Sequence, residues 1–341
     1  MIRKFWFGLV IRIYISVVIA LITLILNCSK ENSNPNPVTP SYSVPILSTA
    51  EVRIRKHTTA RCGGNITDDD GVLVTARGVC WSTAKSPTIV DNNTNDGRGL
   101  GSFSSLLTGL TAGTSYYVRA YATSSAGTGY GNTMWFLAQP FTETIMDIDG
   151  NLYHTITVGT HEWMVENLRG THYRNGDAIP NVTDFNEWEN LTTGAYGNYY
   201  NDLAMISAYG RLYNWFAVDD TRNIAPEGWH VPSYDEWQIL IDYLDDRTVA
   251  GGKLKEAGLE HWYSPNTGAT NESDFSALPG GYRSYGGWCD GMGRSAFFWS
   301  STRSRYTMYP YNIILNFDNS AVDLINGYYS QYGFSVRCVK D

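Results

Sequence analysis

The residues able to do chemistry are scattered, and their spacing excludes most compact catalytic motifs. Six histidines are present, His57, His154, His161, His172, His230 and His261. None opens a His-Glu-x-x-His zinc pair, since His161-Glu162 lacks the second imidazole. His230 draws interest only from its place between Trp229 and Pro232. No Gly-x-Ser-x-Gly elbow occurs, and no Gly-rich phosphate loop ends in Gly-Lys-Ser/Thr. Asp147, Asp149 and Asn151 start like a calcium loop, but Gly150 precedes Asn151 and the twelfth position is Val158 rather than Glu. A hairpin turn fits them better, and Asp68-Asp69-Asp70 reads as a solvated turn. Paired carboxylates are everywhere among 33 acids. Glycoside cleavage needs two of them about 5–10 Å apart across a groove, which sequence spacing does not report. The expectation is therefore no catalytic residue, no metal ligand set and no cofactor.

The elements that would position such residues begin with an export signal. Arg3 and Lys4 precede an almost unbroken apolar run from Ile13 to Leu26, which ends at Asn27-Cys28. This arrangement resembles a bacterial lipoprotein signal peptide over 1–27, and the resemblance implies Cys28 as the lipidated residue. Asn27 departs from the Gly or Ala more usual before that cysteine. The competing reading is a membrane-spanning anchor, but 14 residues fall short of the about 20 a helix needs to cross a bilayer. Residues 28–43 are polar and proline-rich, a flexible tether rather than a fold. A lipid anchor implies the outer membrane, with the domains periplasmic or surface-exposed.

Charge and cysteine count follow from export. Without Arg3, Lys4 and Arg12, 22 bases face 33 acids, a net charge of −11. No basic cluster is present, so nucleic acid is excluded as a partner. Beyond Cys28 remain Cys62, Cys80, Cys289 and Cys338, two in each half of the chain. An even remainder in an exported protein implies bridges Cys62–Cys80 and Cys289–Cys338, with free buried thiols as the alternative.

Residues 44–138 alternate. Thr59–Ile66, Val74–Trp81 and Ser115–Ala122 read as strands, the last with Tyr116, Val118, Ala120 and Ala122 on one face. Turn signals every ten or so residues indicate an all-β sandwich. The pattern Leu110-x-x-Gly113-Thr-x-Tyr116-x-Val118-Arg-Ala-Tyr121 resembles the late strands of a fibronectin type III domain. That resemblance implies a spacer or adhesion module without chemistry of its own.

Residues 144–341 are aromatic and Gly-rich. Ser233 and Glu236 form a capping box, and Trp237, Leu240, Ile241 and Leu244 recur at helical spacing, so a helix runs from Tyr234 to about Tyr243. Phe297–Ser301 and Asn312–Phe317 read as strands. Phe334–Cys338 alternates as a terminal strand, with Arg337 on its other face, available to Asp235 or Glu236.

The blocks Trp163–Leu168, Gly210–Trp215, Ala225–Pro232, Asp235–Trp237, Phe275–Arg283, Phe298–Thr302 and Gly333–Asp341 resemble the major paralogous domain of Fibrobacter succinogenes. The resemblance implies an α+β module of exported Bacteroidota and Fibrobacterota proteins, similar in fold to C-type lectin domains and to the formylglycine-generating enzyme. That enzyme acts through two nearby cysteines near its C-terminus. Cys338 has no such neighbour here, which puts oxidase chemistry in doubt.

The leading functional expectation is a noncatalytic envelope lipoprotein that binds a surface glycan or another envelope component. Candidate contacts are Tyr282, Arg283, Tyr285, Trp288, Asp290 and Arg294, in a polar, aromatic, Gly-rich stretch. A structural subunit of a surface or secretion assembly is the second expectation, and an uncharacterised hydrolase the third.

Overall fold

The computed structural model describes residues 42–54, 57–141 and 143–341. Cys28, the signal segment and most of the tether lie outside them. Among the described residues, no helix is long and apolar enough to cross a membrane.

Nine strands build the first region: β1 (Ile46–Thr49), β2 (Arg53–Ile54), β3 (Ala60–Asp68), β4 (Ala76–Ser82), β5 (Asn92–Asn93), β6 (Gly101–Leu107), β7 (Ser115–Ser124), β8 (Gly127–Tyr130) and β9 (Met134–Leu137). β3 carries β1, β2 and β6, while β7 carries β4, β8 and β9, with β5 on the outer edge of β4. The two sheets enclose Ala60, Cys62, Val79, Trp81, Tyr116, Val118, Ala120 and Phe136. Each is the inward half of an alternating strand. The Tyr116 hydroxyl accepts from the Thr111 amide at 3.0 Å, closing the corner that leads into β7. This is an all-β sandwich.

The parity of β4 overturns the first disulfide. Val79 and Trp81 face the core, so Cys80 faces outward, where its sulfur meets the carbonyls of Pro87 and Arg119 at 3.3 and 3.6 Å. Cys62 points inward from β3, beside the carbonyl of Ala50 at 3.3 Å. The second pair fails as well. Cys338 lies in the module's core, whereas the Cys289 sulfur accepts from the Tyr200 amide at 3.2 Å. All four are free and buried. Burial pushes the Cys62 and Cys80 thiols up to about 11 and Cys338 up to about 12.

The second region is mixed α+β. One sheet runs β10 (Thr144–Met146), β11 (Leu152–Val158), β12 (His161–Met164), then β22 (Val339–Lys340) and β15 (Trp229–His230). The other runs β13 (Tyr196–Gly197), β14 (Leu212–Asn214), β21 (Gly333–Phe334), β16 (Gly280–Arg283), β18 (Ser295–Arg303), β19 (Pro310–Asn316) and β20 (Val322–Asn326), with β17 (Cys289–Met292) also on β16. Helices are short: α1 (Phe185–Glu189), α2 (Ile206–Tyr209), α3 (Trp215–Val218), α4 (Tyr234–Tyr243) and α5 (Ala250–Leu254). α4 carries the expected capping box, with the Ser233 hydroxyl and Glu236 carboxylate satisfying each other's backbone amides. Its buried face, Trp237, Leu240 and Ile241, packs on Trp163, Phe275 and Phe298.

The terminal strand is broken. Only Gly333–Phe334 and Val339–Lys340 pair as strands, yet Phe334, Val336 and Cys338 do share one core. Arg337, on the opposite parity, does not reach Asp235 or Glu236. It is buried, donates to Asn167 Oδ1 at 2.8 and 3.0 Å and to the carbonyls of Phe275 and Met164 at 2.7 and 3.2 Å, and lies over the Phe275 ring. Burial lowers its guanidinium to about 9. It satisfies the carbonyls of Met164 and Phe275 and the side chain of Asn167, from segments distant in the chain.

Candidate functional site

β16, the turn at 284–288, β17 and the turn that follows it place five of the six expected contacts at a surface. The turn is closed by the Ser284 amide on the Trp288 carbonyl at 2.7 Å and by the Gly287 amide on the Ser284 carbonyl at 2.9 Å. Gly287 has φ +86°, and a Cβ there would stand 2.8 Å from Phe185 Cα, so only glycine fits. Phe185 in turn packs on Trp288 at 4.7 Å between ring centroids. Trp288 and Tyr285 remain 63% and 45% exposed.

Arg283 is the exception. It is 1% exposed, donates to the carbonyls of Val182 (2.6 Å) and Gly287 (3.1 Å), and lies 4.1 Å over Trp188. Its polar, aromatic, Gly-rich stretch predicts it at the surface, but backbone carbonyls from a segment 101 residues away hold it inside. It supports the turn and touches no solvent.

Asp290 and Arg294 form an exposed ion pair at 2.5 Å, and it stands as a ridge between two open basins. One, of about 610 Å³, is walled by Tyr199, Tyr209, His261 and Tyr263. The other, of about 440 Å³, is walled by Tyr282, Asn316, Asp318 and Asn319. Tyr263 lies against Gly293, where a Cβ would meet its ring at 2.6 Å. From Tyr282 an aromatic run continues across the surface through Tyr332, Tyr285 and Tyr329 to Tyr309, with successive centroids 6.0, 6.0, 5.7 and 5.5 Å apart. Burial raises the phenols of Tyr199, Tyr209 and Tyr282, with Glu256 adding at Tyr209 and Asp290 at Tyr282. These hydroxyls stay protonated and can both donate and accept.

Sequence reasoning missed Tyr199, Tyr209, His261 and Tyr263, which come from a 3-10 turn, the end of α2 and a loop, all outside the Gly-rich stretch. The crowding of Tyr196, Tyr199, Tyr200 and Tyr209 was the one available signal.

A smaller cavity of about 200 Å³ lies among Asp147, Gly170, His172, Arg174 and Pro226. Its polar groups are already spent on structure. The Asp147 carboxylate accepts from Asp149 and Asn151 amides and from the Tyr153 hydroxyl at 2.7 Å. Asp149 accepts from the Thr171 amide and from His172 at 2.5 Å. Burial works to raise the Asp149 carboxyl, but these bonds outweigh it and hold it low. The expected hairpin turn is what these acids build.

Residues 156–340 match the family profile of the Fibrobacter succinogenes major domain. The chain belongs to that family. In this major domain the two basins and the ridge all fall within the matched residues. No curated protein matches the chain. Among solved structures, the sixth fibronectin type III domain of human fibronectin type III domain containing protein 3 is 24% identical, over 30% of this chain and 92% of that one, with a TM-score of 0.24. The short-form sensor domain of the anti-sigma factor RsgI4 of Pseudobacteroides cellulosolvens is 12% identical, over 29% of this chain and 97% of that one, with a TM-score of 0.23.

Proposed function

We propose that the protein is a noncatalytic lipoprotein, anchored in the outer membrane through Cys28, whose major domain binds a carbohydrate of the cell envelope or its surroundings. The observation that carries this reading is the Asp290–Arg294 ridge with tyrosine-walled basins on both sides. Tyrosine rings stack on the apolar faces of sugar rings, and an exposed carboxylate–guanidinium pair beside amide side chains fixes hydroxyls by direction. The lectin-like fold implied by the sequence blocks belongs to the same proposal. A glycan array probed with the full chain, beside Asp290→Ala with Arg294→Ala, tests it. Binding that falls at least tenfold in the folded variant supports the reading, and equal binding refutes the location.

A second reading rests on a different surface. Tyr306 and Met308, 97% and 61% exposed, adjoin the Tyr309–Tyr329 end of the aromatic run. Such exposed apolar side chains also suit a protein partner in a surface assembly. Crosslinking that recovers one stable envelope protein, lost in Tyr306→Ser with Met308→Ser, would favour that reading.

A further inference from the structure

We propose that Glu256, Glu260 and His261 form a binding site for a divalent first-row transition ion of the zinc class, at the rim of the basin walled by Tyr199, Tyr209 and Tyr263. One nitrogen or oxygen from each of the three side chains lies within 4.8 Å of the others. His261 Nδ1 is 2.9 Å from both carboxylate oxygens of Glu256. Ligands about 2.0–2.2 Å from a shared ion stand about 3 Å apart when their bonds are near right angles. The Glu256–His261 contact already has that separation, and an ion there would take the place of the hydrogen bond that joins them. Glu260 offers the third ligand atom from the exposed side.

The turn that carries these ligands is held at both ends. The Glu256 amide and the Trp262 indole donate to the same carbonyl, that of Ala277, at 3.1 and 3.0 Å. From four residues past Trp262, the buried Asn266 amide donates to the carbonyls of Glu256 and Gly258 at 2.9 and 2.8 Å. Lys255, next in the chain, is fixed by three carbonyls, those of Thr267, Asn316 and Asn319. Two ligands are thereby positioned before any ion arrives, which is what a metal site needs from its surroundings. The donor mix sets the class of ion. An imidazole nitrogen with two carboxylate oxygens suits zinc-class ions, whereas calcium and magnesium select all-oxygen cages. Three protein ligands leave coordination positions open, and His261 is shared with the basin wall.

This site stands whether or not the basins take a sugar, and its test uses no sugar. The full chain, stripped with chelator, is titrated with Co2+ and followed by visible absorption, then back-titrated with Zn2+. Glu260→Gln, His261→Gln and a His230→Gln control are run beside it. We expect one equivalent of Co2+ to develop ligand-field bands that Zn2+ abolishes, with affinity at least tenfold weaker in Glu260→Gln and His261→Gln and unchanged in His230→Gln. Glu260 is exposed, so its variant reads binding without a folding defect. Absence of bands at one equivalent, unchanged affinity in Glu260→Gln, or loss in the His230 control instead would overturn the assignment.

Discussion

Asp274 holds Thr58 from 216 residues away in the chain, accepting its amide at 2.9 Å on one oxygen, which also takes the Thr58 hydroxyl. Its other oxygen accepts the His57 amide at 3.1 Å. The sandwich is thereby stapled to the major domain by one buried carboxylate, and Phe141 wedges between the His57 and His154 rings at 4.4 and 5.0 Å. Asp274→Ala leaves these donors without an acceptor and is expected to lower unfolding free energy by about 1–3 kcal/mol. Urea denaturation measures it, and Asp274→Asn should fall between the two.

Arg283 and Arg337 are expected to behave as core residues despite their charge. Each donates to several carbonyls from distant segments and lies over an aromatic ring. Truncation to Ala removes large buried volume as well as those bonds, for a loss of about 3–5 kcal/mol. Lysine should not rescue Arg283, because it lacks the planar fork. A thermal melt of Arg283→Lys near wild type would contradict this.

The thiols should be reduced and inert in the folded protein. Since Cys62, Cys80, Cys289 and Cys338 are free and buried with raised values, dithiothreitol should leave the melting temperature unchanged. Alkylation of the 44–341 region should be negligible until denaturant is added, and then label all four.

His230 carries a pH dependence. Its Nε2 lies 2.8 Å from Glu236 and its Nδ1 2.7 Å from Asp341, so only the imidazolium can donate to both. Burial works against that charge, but the two carboxylates outweigh it and raise His230 above its ordinary 6.5. The group's stabilisation is full below about 6.5 and is lost as pH rises through the raised value. Glu236 has the opposite sign. Burial would raise it, but the Ser233 amide and hydroxyl and His230 hold it below 4.5, so its contribution is lost only as pH falls through that lowered value. His161, Glu162 and Lys340 line the same depression. Melting temperature should therefore drop between pH 6 and pH 8 more in wild type than in His230→Gln.

What the sequence disclosed was what is local. The α4 helix was legible because Ser233, Glu236 and the apolar spacing all act within ten residues, and the sandwich because alternation repeats in each strand. The disulfide expectation failed because a count of cysteines does not register parity: Val79 and Trp81 face the core of the sandwich, which turns Cys80 to the other side of its strand. Arg283 and Arg337 were misplaced because the carbonyls that hold them are non-local. The Tyr199, Tyr209 and Tyr263 wall had no period to reveal it, since a 3-10 turn, the end of α2 and a separate loop assemble it.

The central claim, carbohydrate binding at the basins, is tested most directly by affinity electrophoresis of the full chain through gels holding a panel of envelope and plant polysaccharides. Tyr199→Ala with Tyr263→Ala would run beside Tyr285→Ala with Trp288→Ala. Wild type should be retarded by at least one polysaccharide, with retardation reduced at least tenfold in the first variant at unchanged melting temperature. A smaller loss in the second would show that the aromatic run extends the site. Migration of wild type and both variants alike in every gel would contradict the account.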